Sequence, residues 1–359
     1  MQVVYVIDGS TLTTYNVNPQ TLQASAVGTI TLPQSVYPGL VTSANGRFLY
    51  YSAYENTAQQ GKRLYVYDTS ASGVPGSTSV QTLSATGLDG IAVNPAGNYL
   101  YAVYQGTVGQ EYTPHQIERY AVDSTTGKLS GGTVQATYEL GSGYGGSEIC
   151  NLSILGISAA GSEMYDEIGC SYHGGSSATY NERTLNAQTG ALGPDVQVYS
   201  WNNSTEGFEF VQFVQDLVFD FVMPNNYDPG TNYVDIYQLQ PNVSKPEVDY
   251  TITMLKACGN DGGIAHPSGN WIFFFNAQGA TVVGEVKLSN HKITGPFSPI
   301  PYEVQQFSPD GTIAYAANDV NTALNVEIYG FNQSSGSLTK GGTISVPSDL
   351  DSWFTAQRD

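Results

Sequence analysis

The chain has 359 residues, 40% of them hydrophobic and 12% aromatic, enough for a large buried core and incompatible with a solvated, disordered chain. Twelve Lys and Arg stand against 31 Asp and Glu, a formal charge of −19 that repels phosphate backbones and anionic lipid and excludes nucleic-acid and membrane-surface partners. No apolar run approaches the roughly 18 residues of a membrane span, since the best stretch, 207–223, carries Glu209, Asp216 and Asp220.

The chain opens on Val3-Val4-Tyr5-Val6-Ile7 with no basic n-region or h-region ahead of it. Abundant Gly, Ser, Thr and Asn with few Lys predict an exported β-protein, periplasmic or extracellular, rather than a cytoplasmic one. Period-2 alternation predicts strands at Val3–Ile7, Leu12–Val17 and Val27–Thr31. A hairpin phrase follows, an apolar run, a turn ending in Gly and a run rich in Tyr: Leu40-Val41-Thr42-Ser43-Ala44-Asn45-Gly46-Arg47-Phe48-Leu49-Tyr50. It returns around Asn94-Pro95-Ala96-Gly97, Ser158-Ala159-Ala160-Gly161, His266-Pro267-Ser268-Gly269 and Ser308-Pro309-Asp310-Gly311, with turn glycines 51, 64, 108 and 42 residues apart. The longest gap holds one degraded repeat, with Phe213–Val222 as its hairpin and Val234–Leu239 as its third strand.

Third strands are predicted after the hairpins at Leu64–Asp68, Ile117–Asp123, Val234–Leu239 and Val326–Phe331, closed by polar turns such as Ser124-Thr125-Thr126-Gly127 and Ala187-Gln188-Thr189-Gly190. Four antiparallel strands per unit is one blade of a β-propeller. Six units carry an inner strand, and the N-terminal strands supply a seventh whose inner strand is Ser352–Ala356. The expectation is therefore an all-β, single-domain, seven-bladed β-propeller over residues 1–359, its ring closed by pairing N- and C-terminal strands.

These phrases resemble the lactonase-type propellers, the group of cycloisomerase-type 6-phosphogluconolactonases and carboxymuconate-lactonising enzymes. The resemblance rests on Ser-Pro-Asp-Gly at 308–311, His-Pro-Ser-Gly at 266–269, Asn-Pro-Ala-Gly at 94–97 and the Thr-Gly turns, and spans the chain. It implies a lactone hydrolase working without cofactor on a sugar-acid lactone or related cyclic ester. The segment Glu167-Ile168-Gly169-Cys170-Ser171-Tyr172-His173 keeps the group's acid, aliphatic and Gly but lacks its Asp-Arg. A second reading is a non-catalytic exported propeller that binds a carbohydrate or protein ligand. The partner expected first is a small molecule, a sugar acid or lactone, at the channel rim of a monomer.

The rim where inner strands start also gathers the long loops, which makes it the expected site. Asp89, Asp261 and Glu303 stand eight residues before turn glycines, as strand-end turn residues, ligand acceptors or a weak Ca²⁺ site. Tyr54 and Tyr104 in the rim loops suit stacking on a polyol, and Lys256 is a candidate cation. His173 is the predicted general base, followed by Gly174-Gly175, with His115 and Arg119 orienting the anionic end of a substrate. His266 and His291 fall in turns at the other rim and read as structural. Cys150 and Cys170 are symmetric about the 159–161 turn, which places them opposite one another on adjacent strands and predicts a disulfide. Cys258 reads as a free thiol.

Overall fold

A computed structural model describes residues 1–33, 36–54, 62–106, 114–138, 149–158, 160–172, 175–203, 209–214, 217–222, 233–238, 248–253, 263–268, 270–275, 281–287, 292–294, 303–320, 323–345 and 350–357. Every regular element among them is a β-strand, and the strands pair into seven four-stranded antiparallel sheets.

The first sheet contains β1 (Gln2–Asp8), β2 (Thr11–Val17) and β3 (Ala24–Thr31). The second contains β4 (Val36–Thr42), β5 (Phe48–Tyr54), β6 (Arg63–Asp68) and β7 (Gln81–Ser84). The third runs through β8 (Leu88–Val93), β9 (Tyr99–Tyr104), β10 (His115–Val122) and β11 (Leu129–Tyr138). The fourth has β12 (Ile149–Ile157), β13 (Glu163–Tyr172), β14 (Gly175–Leu185) and β15 (Leu192–Asn203). The fifth is β16 (Glu209–Val214), β17 (Leu217–Val222), β18 (Tyr233–Gln238) and β19 (Val248–Thr253). The sixth is β20 (Gly263–Ala265), β21 (Trp271–Phe275), β22 (Thr281–Lys287) and β23 (Lys292–Thr294). The seventh holds β24 (Glu303–Phe307), β25 (Ile313–Val320), β26 (Ala323–Asn332) and β27 (Ser337–Ser345), after which β28 (Leu350–Gln357) returns to the first sheet. There β28 is the strand beside β1, Val3 facing Ala356 and Ile7 facing Ser352. The strands β28, β4, β8, β12, β16, β20 and β24 neighbour one another in succession, which is the inner ring of a propeller.

Alternation explains the packing. On β1, Val3, Tyr5 and Ile7 pack with Leu49, Tyr51 and Tyr67 of the second sheet, while Val4 and Val6 pack with Ile313, Tyr315 and Ile328 of the seventh. A strand buried on both faces reads as an unbroken apolar run, as this one does. Similar layers join second to third sheet (Tyr50 and Leu64 with Leu100), third to fourth (Val103 and Ile117 with Leu152) and sixth to seventh (Phe273 with Phe307 and Phe331). The expectation of seven like blades is corrected here at the level of packing. Five interblade cores lie among the described residues, not seven, and they join six consecutive sheets; the faces of β16–β19 fall outside the described side chains.

The turns repeat a device. In the hairpin turns Gly46, Gly97, Gly161 and Gly311 have φ between 65° and 70°, and their N–H groups donate to the carbonyls of Ser43, Asn94, Ser158 and Ser308. The side chains of those four residues accept from the N–H groups of Phe48, Tyr99, Glu163 and Ile313, so one residue caps both ends of its turn. In the outer turns Gly127, Gly190 and Gly336 lie against the rings of Phe48, Tyr99 and Trp271 of the preceding sheet, where a Cβ would come within 2.4, 2.6 and 2.2 Å. Glycine is needed twice there, for the left-handed backbone and for the ring beneath it. The first sheet breaks the rule: Leu22 takes the left-handed position (φ 58°), and the preceding sheet offers Ile313 where the others offer an aromatic. Leu22 instead lies against Gly330 and Gly341, and its carbonyl accepts from the Gly342 N–H at 2.8 Å.

Several boundaries differ from expectation. The strand expected at Val27–Thr31 starts at Ala24, because Gly28 sits in register opposite Thr14 and pairing runs on past it. In the degraded hairpin Val214 pairs with Leu217, and the third strand ends at Gln238. The fourth inner strand starts at Ile149, four residues before Ser153, since pairing with β13 extends to Ser171.

Candidate functional site

Two neighbouring sheets build one rim in the same way. Eight residues after the turn glycine stand Tyr54 in the second sheet and Gln105 in the third. The β5–β6 and β9–β10 pairings end at Ala53–Arg63 and Tyr104–Gln116, one residue short of Lys62 and His115, which come next on the facing side. The corner Ala85–Asp89 joins the two: the Ala85 N–H donates to the Lys62 carbonyl, and the Gln105 N–H to the Gly87 carbonyl.

Lys62 is 4% exposed, and its Nζ lies 4.8 Å over the Tyr54 ring. Burial lowers its pKa, and the nearby Asp89 charge works the other way. Among the described residues no hydrogen bond or ion pair reaches its ammonium. Asp89 itself is exposed and accepts from Gln105 Nε2 at 3.0 Å. Gln105 also docks on the fourth sheet, donating to the Leu152 carbonyl at 2.7 Å and accepting from the Leu152 N–H at 3.1 Å.

His115 is 2% exposed. Its Nδ1 accepts from the Gly106 N–H at 3.0 Å, so in the neutral ring the proton sits on Nε2. Nε2 is buried without a completed hydrogen bond, although the Cys150 backbone lies beside it. Burial depresses the His115 pKa against the opposing pull of the Cys150 backbone and Asp89, so the ring is neutral near pH 7 and acts as a donor at Nε2. Cys150 and Cys170 face each other across β12 and β13 and are joined by a disulfide, with Cα atoms 4.0 Å apart.

The expected site residues divide. Asp89, His115 and Tyr54 lie on this rim. Tyr104 lies at the same end but packs toward the second-sheet core, its hydroxyl donating to Tyr120, which donates to Glu118 Oε2. Arg119 is not with His115: its guanidinium binds the Thr189 carbonyl in the outer turn of the fourth sheet and lies 5.4 Å over Tyr99. That places it toward the opposite rim, about half the length of β10 from His115. His173, Lys256, Asp261, Cys258 and His291 lie outside the described residues, and of Glu303 only the backbone, in β24, is described. Among the described residues no three His, Cys, Asp or Glu side chains gather as a metal site. His266 holds the other rim, its Nδ1 accepting from the Ser268 N–H and its Nε2 on the Gly311 carbonyl at 2.8 Å.

Sequence reading left Lys62 at the periphery and missed Gln105. Aligning the repeats on their turn glycines pairs Tyr54 with Gln105, each eight residues on, and that alignment is the signal that finds Gln105; Lys62, 16 residues after Gly46 where His115 is 18 after Gly97, is not found that way. It also missed a buried polar lock between the third and fourth sheets. There Asp166 accepts from Tyr138 at 2.8 Å, Asn181 at 2.9 Å and Arg183 Nε at 2.8 Å. Asp166 is fully buried and Arg183 4% exposed, so each is tolerated only because the other is present.

No family model matches the chain, and no curated protein matches it. Solved structures match over nearly the whole length. A 6-phosphogluconolactonase candidate from Bacteroides uniformis is 14% identical, with 99% of both chains covered and a TM-score of 0.62. The periplasmic gluconolactonase of Pseudomonas aeruginosa is 12% identical over 99% of this chain and 98% of its own, with a TM-score of 0.62. A protein from Lactobacillus plantarum is 11% identical with the same coverage and a TM-score of 0.63. At these identities the likeness is one of fold.

Proposed function

We propose that this chain is an exported lactonase acting on a sugar-acid lactone or related cyclic ester at the rim bearing Asp89 and His115. The observation that carries the reading is His115, a neutral imidazole held by Gly106 at Nδ1, with Nε2 beside the Cys150 backbone, on the rim where inner strands and long loops meet. Two of the structures that share the fold bear gluconolactonase names, which supports the substrate class. The Cys150–Cys170 disulfide and the periplasmic setting of one of them support export.

In this reading His173 is the general base that takes a proton from water. The resulting hydroxide adds to the lactone carbonyl, the ring C–O bond breaks, and the alkoxide leaving group regains the proton, giving the open hydroxy acid. His115 Nε2–H donates to the carbonyl oxygen as charge develops on it, and Asp89 accepts from a substrate hydroxyl. Arg119, committed to Thr189, has no part in this scheme.

The test is a pH-stat screen of simple lactones, δ-gluconolactone first, on wild type and on the His115→Ala, His173→Ala double variant. The expected result is hydrolysis that falls by about 10²–10⁴-fold in the double variant. Hydrolysis that persists undiminished removes the assignment. A wild type inert to every lactone favours the non-catalytic reading, a propeller that binds a carbohydrate or protein ligand.

A further inference from the structure

Lys62 is the feature of this rim that the lactonase scheme does not use. On a body with a formal charge of −19 and 31 acidic residues, a basic side chain would ordinarily meet a carboxylate. Those of Arg47, Arg183 and Lys340 do so, with Asp68, Asp166 and Glu327. Lys62 is 96% buried, yet among the described residues its ammonium has only the face of Tyr54, 4.8 Å away. Burying a cation without a hydrogen-bonded counter-ion opposes folding, a cost that an anionic ligand bound here would offset. The surroundings specify what that is. The Tyr54 ring supplies an apolar, π-bearing wall that orients the ammonium without neutralising it. Asp89, exposed at the adjoining strand start and tethered by Gln105, is an acceptor and not a second cation. One cation, one aromatic face and one carboxylate acceptor are complementary to a small hydroxylated carboxylate: the anionic end goes to Lys62, a hydroxyl to Asp89 and the carbon chain to the ring.

We infer that Lys62, with Tyr54 and Asp89, forms a binding site for the carboxylate of an open-chain hydroxy acid, so that the rim holds the ring-opened anion more tightly than its neutral counterparts. The inference rests on placing the ligand at the same rim as the proposed function, and it adds a residue and a charge preference to that reading. It has a kinetic corollary: the hydroxy acid released by hydrolysis inhibits, competing with the lactone through a group that the lactone cannot pair with.

The experiment is calorimetric titration of the full chain with gluconate and, separately, with glucitol, which keeps the hydroxylated chain but replaces the carboxylate by a CH₂OH group. Wild type is expected to bind gluconate at least 10-fold more tightly than glucitol. Lys62→Met, which preserves the length of the side chain and removes the charge, is expected to weaken gluconate by about 10- to 100-fold, the usual loss of a charge-assisted bond, and to leave glucitol unchanged. Its melting temperature should equal or exceed that of wild type, because an unpaired buried charge has been removed. Should that variant fail to fold, Lys62→Gln replaces it, and the gluconate–glucitol comparison on wild type needs no variant. Equal binding of the two ligands by wild type, gluconate affinity indifferent to the loss of Lys62, or no gluconate binding at all overturns the inference. Gluconate held through Lys62 with no lactone hydrolysed leaves it standing and removes the enzyme reading alone. Hydrolysis accompanied by gluconate binding that ignores Lys62 does the reverse.

Discussion

His266 is a histidine whose chemistry is spent on structure. It is 1% exposed, packed 4.9 Å from the Phe307 ring, and its two nitrogens bridge the Ser268 N–H and the Gly311 carbonyl, which fixes the neutral tautomer. Burial pulls its pKa below the ordinary histidine value, the Gly311 carbonyl resisting, and burial lowers that of His115 too. A group whose folded pKa is depressed binds fewer protons in the native state than in the unfolded one, so stability falls as pH drops below the unfolded value of about 6.5. Each such histidine can remove up to about 1.4 kcal/mol per pH unit in that window. Glu167, raised by burial, acts in the opposite sense as pH falls, so the informative quantity is a difference. Urea unfolding of wild type and His266→Gln should show the stability gap between them narrowing from pH 7.5 to pH 5.5. A gap constant across that range would mean that His266 is not buried neutral.

Between elements, the recurring joint is an outer-turn glycine of one sheet seated on the first aromatic residue of the preceding sheet's second strand. Gly127 has φ 69°, and a methyl group there would come within 2.4 Å of the Phe48 ring. Gly127→Ala should therefore cost about 2–4 kcal/mol, from backbone strain and collision together. Adding Phe48→Leu should recover the collision part, giving a double variant less destabilised than the sum of the singles, measured by urea denaturation. Strict additivity would deny that the two residues touch. Much of this joint was legible in the sequence, because Thr-Gly turns and Gly-x-aromatic hairpins recur with fixed offsets. What was not legible was which turn meets which ring, since a propeller brings together residues about 80 or more positions apart, such as Tyr50 with Gly127. The Asp166–Arg183–Tyr138 lock was hidden because its members, 17 to 45 positions apart, look in sequence like ordinary strand polars. Arg119 was grouped with His115 because the two are near in sequence, yet four residues on one strand is about 13 Å, which separates one rim's chemistry from the other's. The disulfide was legible because both cysteines sit in one hairpin, where register follows directly from the turn.

For the whole molecule the decisive contact is the longest one. Gln2 pairs with Gln357, and β28 is the only partner on its side of β1. A chain ending at Asp349 should leave β1 as an exposed edge and uncover Val4 and Val6. Such a chain should melt cooperatively at a lower temperature, with protease cleavage distributed over the ring; fraying confined to the first sheet would show that the sheets stand alone. At the outer perimeter of the same junction, Leu22 supplies a second fastening. Its side chain lies where Gly330 and Gly341 leave room for it.

That double fastening sets the order in which structure can appear during folding. Six of the seven sheets are built from consecutive strands and can form as soon as about 40–60 residues are available, through hairpins that assemble in microseconds. The first sheet cannot be completed that way, because closing a loop of some 350 residues carries an entropic cost of about 5 kcal/mol before a single β1–β28 bond is made. Closure of the ring is therefore the late, slow step, and the species that waits for it displays a bare strand edge beside the apolar face of Val4 and Val6. A refolding chain at high concentration can meet that edge with the β28 of another copy. Dimers made by exchange of this one strand are the misassembly to which the architecture is most exposed.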